Sequence, residues 1–106
     1  MSYRFMRVLV FFDLPTETET DRRNYRQFRR GLLKSGFFMM QESVYCRMVL
    51  NKTCEQTVVD GIYRMRPPAG VVQVLTVTEK QFANMRYITG EKHCDVIDTD
   101  ERLVIL

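Results

Sequence analysis

At 106 residues the chain has room for one domain with a modest core, and its 45% apolar and 27% charged content excludes a predominantly disordered or low-complexity protein. No window supplies the roughly 18 apolar residues of a membrane span, no small-residue cleavage site follows the N-terminal apolar run, and three cysteines at unrelated spacings make neither a disulfide framework nor a zinc motif. The net charge of +3 is unevenly spread, with nine Lys/Arg against five Asp/Glu in residues 1–50, five against three in 51–89 and two against five in 90–106, so a basic body carries an acidic tail. The lack of such a span and cleavage site leads us to expect a cytoplasmic protein, and the uneven charge a polyanion partner for the body and a basic partner or surface for the tail.

In chain order, FMRVLVFF reads as a strand by its β-branched and aromatic residues, and it runs into Asp13 and then Pro15. Thr16-x-x-Glu19 is a candidate capping box for a helix that runs to about Ser35 and stops at Gly36, with Tyr25, Phe28 and Leu32 forming one narrow apolar stripe. FFMMQESVYCRMVL holds two short strands separated by a turn near Gln41 to Ser43. Asn51 and Thr53 are rival caps of a second helix, whose apolar positions are Cys54, Val58, Ile62 and Met65 and which ends at Pro67-Pro68. VVQVLTVT is a fourth strand, EKQFANM a polar turn or short helix, and LVIL a terminal strand reached through the acidic stretch from about residue 90.

The order β-α-β-β-α-β is the ferredoxin-like arrangement, an α+β sandwich with two helices on one face of an antiparallel sheet, here with an extra C-terminal strand. Both faces of the first and fourth strands are apolar, yet two helices cover one face only. At roughly 25 cal/mol per Å² of buried apolar surface, the other face is expected to pack against a second copy, making a homodimer. The LVIL strand is free to extend a neighbour's sheet edge instead of its own.

Asp13, at the rim of a buried strand, serves either as a turn cap before Pro15 or as a ligand for a hard divalent cation. One carboxylate is too few for magnesium, whereas a two-fold axis near this strand end supplies a second Asp13, with waters and phosphate oxygens completing the octahedron. Arg22, Arg23, Arg26, Arg29, Arg30 and Lys34 share one broad helical arc with no acid after Asp21, which is either a phosphate-binding surface or a solvated face. Ser43 ties a turn or reaches phosphate, and His93 has no partner at a telling spacing for general-base work. No phosphate-cradling glycine loop, metalloprotease helix or nucleophile elbow is present.

The apolar strand ending in Asp13, the arginine-rich helix closing on Gly36, and above all QESVYCRMVL followed by VLTVTEKQF resemble the small CRISPR-associated protein that partners the spacer integrase, the Cas-two family, with TVTEKQF most similar to members from type II systems. The resemblance implies a ferredoxin-like homodimer placed between integrase units, with protospacer DNA lying across the assembly, so that the dimer is a scaffold for capturing and integrating new spacers. It also implies an alternative activity: a magnesium-dependent endoribonuclease acting on single-stranded RNA, or a DNA nuclease, with Asp13 as both metal ligand and catalytic group. Many relatives carry a tyrosine directly before that aspartate, where this chain has Phe12. The row from Arg22 to Lys34 matches the family's basic helix in character. The acidic tail is expected either to dock the integrase or to close the homodimer.

Overall fold

The computed structural model describes residues 5–91. Its elements are β1 (Met6–Asp13), α1 (Glu19–Lys34), β2 (Phe38–Gln41), β3 (Val44–Val49), α2 (Lys52–Arg64), β4 (Val71–Thr78) and α3 (Glu79–Ala83). The four strands form one sheet in the order β2-β3-β1-β4, with every neighbouring pair antiparallel. This is the expected ferredoxin-like α+β fold. The tail, including His93, Cys94 and the LVIL strand, lies outside the described residues.

β1 is central because it is apolar at both parities. Val8, Val10 and Phe12 face the two long helices and are almost wholly buried with Phe28 and Leu32 of α1, Val58 and Ile62 of α2, and Tyr45 and Val49 of β3. Three aromatic neighbours, Tyr25, Phe28 and Tyr45, surround the Phe12 ring with centroids 6.0, 5.2 and 5.6 Å away. Leu9 and Phe11 point to the other face, as alternation along a strand requires.

The helix boundaries follow from local chemistry. The capping box that starts α1 uses Thr18 and Asp21 rather than Thr16 and Glu19: the Thr18 hydroxyl accepts from the Asp21 amide at 3.0 Å, and the Thr18 amide donates to the Asp21 carboxylate at 3.2 Å. At the other end Gly36 takes φ +92°, and the Gly36 and Phe37 amides donate to the Leu33 and Leu32 carbonyls, a Schellman closure that delivers Phe37 into the core. Arg47 of β3 donates to the Ser35 carbonyl at 2.7 Å, placing a cation at the negative end of the helix dipole. For α2, Asn51 prevails over Thr53 as cap and accepts from the Cys54 amide at 2.7 Å.

Candidate functional site

Asp13 is the last residue of β1. Its strand partner is Val71, and it shares parity with Arg7, Leu9 and Phe11, so its carboxylate stands on the helix-free face at one end of the sheet, exposed to solvent. The backbone around it is tightly fixed. Gly70, with φ +97°, lies so close that a Cβ there would sit 2.7 Å from the Asp13 carbonyl oxygen, and the Phe12 amide donates to the Ser43 carbonyl at 3.1 Å. Ser43 thus uses its backbone to hold the strand end and sits in the turn between β2 and β3. Among the described residues no group of three or more His, Cys, Asp or Glu could hold a metal ion, so Asp13 is not part of a complete ligand set within one chain.

Phe12 faces away from Asp13, into the helix-side core. A ring hydroxyl at position 12 would enter that core and not the carboxylate's face, so having phenylalanine here leaves the Asp13 site as it is.

The helix-free face divides in two. Its Met6/Thr78 end is covered by α3, and under that helix lies Arg7, 5% exposed. Arg7 donates to both Glu79 carboxylate oxygens at 2.9 and 3.0 Å, its guanidinium carbon is 4.4 Å from the centre of the Phe82 ring, and one nitrogen lies 3.9 Å from the Cys46 sulfur. Burial by itself would favour the neutral form, but the hydrogen bonds from Arg7 to Glu79 and Cys46 outweigh it, and the guanidinium is held charged even more firmly than usual. Across the rest of the face Leu9 and Cys46, at its middle, are buried, while Val71 and Leu75 on β4 are 54% and 52% exposed, Phe38 is exposed on β2, and Met48 is exposed on β3 beside Arg7.

The six cations of α1 are all exposed, but they are not equivalent. Arg22 donates to the Thr16 and Glu17 carbonyls and to Glu19, and Arg26 reaches Glu19 at 3.5 Å. Arg23, Arg29, Arg30 and Lys34 have no ion pair among the described residues. Glu19 therefore neutralises the start of the row and leaves its remainder available to an external anion.

A profile of the family described as CRISPR associated protein Cas2 matches residues 6–85, most of the chain. The chain belongs to the Cas2 family. Relatives named CRISPR-associated endoribonuclease Cas2 include one from Treponema denticola, 54% identical over 101 residues covering 95% of this chain and all of that protein. Proteins of the same name from Streptococcus mutans serotype c and Acidovorax ebreus are 43% and 48% identical, covering 95% and 80% of this chain and 93% and 83% of their own lengths. Within this Cas2-family chain the matched span takes in Asp13, the whole basic row and the Arg7-Glu79 clamp. Among the described residues no helix is long and apolar enough to cross a membrane.

Arg7 was not marked by its local sequence, where it reads as one polar residue in an apolar strand. Its partner Glu79 lies 72 residues away, inside the TVTEKQF stretch that carries the resemblance. That stretch was the available signal, since its glutamate is the residue that neutralises the buried cation.

Proposed function

We propose that the protein is a dimeric, nucleic-acid-binding scaffold of CRISPR adaptation, acting in the cytoplasm with the integrase to capture and integrate new spacer DNA. The observation that carries this reading is the row Arg23, Arg29, Arg30 and Lys34, exposed on the helical layer and without ion pairs among the described residues, while the opposite sheet face keeps exposed apolar residues, Val71 and Leu75 among them, suited to a second copy. Packing two sheets face to face leaves both basic helices on the outside of the dimer, where a duplex can cross them. Protospacer DNA fits that role by charge, and the acidic stretch from about residue 90 is assigned to the integrase or to the homodimer itself.

A second reading, a magnesium-dependent endoribonuclease, is favoured by the placement of Asp13: exposed, at a rigid strand end, on the face that would meet a second copy. One carboxylate does not suffice for magnesium. Asp13 together with Asp13 of a second copy would hold the ion, with waters and phosphate oxygens as the other ligands. When bound, the ion would activate a water and stabilise charge on the leaving oxygen.

The two readings separate at Asp13→Asn, which removes a metal ligand without changing any cation. Duplex binding by the variant is expected to stay within about twofold of wild type, while any magnesium-dependent RNA cleavage is lost. Gel shift and cleavage assays on one preparation read both. Loss of duplex binding in the variant would contradict the scaffold reading, and cleavage that survives at the wild-type rate would remove Asp13 from the nuclease.

A further inference from the structure

The helical layer contains a groove of about 280 Å³ between α1 and the end of α2. Its floor is apolar, made by Phe28, Gly31 and Met65, and its polar lining includes Asn24, Gln27 and Arg66. Gly31 makes the floor possible: a Cβ there would lie 2.6 Å from the Met65 sulfur, so glycine lets the thioether reach the α1 backbone. Arg66 is held in place before any ligand arrives, with its guanidinium carbon 4.1 Å from the centre of the Tyr63 ring and one nitrogen donating to the Tyr63 carbonyl at 2.9 Å. Among the described residues no carboxylate lines the groove; Asp21 lines only a smaller depression beside it and is engaged in capping α1.

The charge around the groove is asymmetric. At about 100° per residue, Arg23, Arg30 and Lys34 occupy the sector of α1 adjoining Asn24, Gln27 and Gly31, whereas Arg22, Arg26 and Arg29 turn away. The three that flank the groove are unpaired among the described residues, and two of the three that turn away are tied to Glu19.

We infer that this groove is a single-strand subsite that takes one unstacked nucleobase, with the flanking phosphates on Arg23, Arg30 and Lys34. Unpaired bases are recognised by stacking on planar groups, arginine guanidinium included, and by hydrogen bonds to their edges. Arg66 stacked on Tyr63 provides the planar group, and the Asn24 and Gln27 amides provide both donors and acceptors. The groove lies just below the roughly 300 Å³ lower bound of ordinary small-molecule pockets, with room for one nucleobase. The inference deepens the scaffold reading and rests on it: a fragment with unpaired ends would be held along its backbone by the basic row and at an end by this groove.

The test is fluorescence anisotropy on the full chain with oligothymidylate, oligouridylate and a blunt duplex, comparing wild type with the double variant Gln27→Ala/Arg66→Ala and with Arg22→Ala. Both sites of the double variant are at the surface, so folding is preserved where a larger residue at Gly31 would disturb it. The double variant is expected to lose about tenfold in single-strand affinity and less than about twofold on the duplex, while Arg22→Ala changes neither by more than about twofold. The thymidylate and uridylate arms tell a DNA end from RNA. Strands carrying 5-iodouracil are expected to photocrosslink to the peptide containing Tyr63 to Arg66. Equal losses on single strand and duplex, or crosslinks confined to other peptides, would overturn the base subsite while leaving the scaffold reading intact. Displacement of the strand by a peptide of residues 91–101 that loses affinity in the double variant would overturn it in favour of the chain's own acidic segment. Wild-type protein that binds neither single strand nor duplex would overturn the scaffold reading and this inference together.

Discussion

Leu75→Asp is expected to convert the protein from a dimer at low micromolar concentration to a folded monomer. Leu75 pairs directly with the buried Leu9 on the helix-free face and is exposed with Val71 along β4, while Phe38 and Met48 are exposed on the same face at β2 and β3. An interface between two copies across a two-fold axis uses the same patch twice, so one substitution places two carboxylates in it. An unpaired charge taken out of water costs several kcal/mol, enough to weaken association by about three orders of magnitude or more. The monomer itself should survive, because the side chain is already 52% exposed in the single chain. Sedimentation velocity with circular dichroism reads both effects. A wild-type protein that sediments as a well-folded monomer would show that the second copy does not sit on this face.

Charge reversal of the unpaired cations should act on nucleic acid and leave assembly alone. In Arg23→Glu/Arg30→Glu/Lys34→Glu, three exposed cations without ion pairs among the described residues become repulsive, so the fold gives up no described ion pair and stability should change little. Duplex affinity near physiological salt is expected to fall by on the order of a hundredfold. The slope of log affinity against log salt should flatten by about 0.9 for each phosphate that is no longer neutralised, roughly 2.7 for each protomer that the duplex crosses. A reversal at Arg22 is expected to do less, because that guanidinium is already engaged with Glu19 and two backbone carbonyls. Titrations across a salt series measure both quantities, and an unchanged slope would mean that the duplex lies elsewhere.

Much of this was legible in the sequence because local rules and the global fold agree. The double-sided apolarity of β1 fixed its central place, Gly36 closed α1, and Pro67-Pro68 ended α2 ahead of β4. The α1 cap was harder to read, since Thr16 and Thr18 both stand three residues before an acid and the spacing rule alone does not choose between them. The split in the basic row was partly readable: Glu19 stands three residues before Arg22 and seven before Arg26, on the same side of the helix. Asp13 was visible as the odd residue at the end of an apolar strand, and its face follows from strand alternation. Two features were beyond local reading. The burial of Arg7 depends on Glu79 and Phe82 arriving from the far end of the chain, and the α1-α2 groove depends on Gly31 admitting Met65. Neither arrangement leaves a periodic trace. The only hints were a glycine inside a helix and a glutamate directly after a strand.

The most direct test of the scaffold reading is reconstituted spacer integration with the partner integrase, a duplex prespacer and a repeat-containing target, comparing wild type, Asp13→Asn and the triple charge reversal. Asp13→Asn is expected to support integration within about twofold of wild type, and the triple reversal to abolish it while remaining folded and dimeric. Integration that is lost in Asp13→Asn and retained in the triple reversal would contradict the scaffold reading.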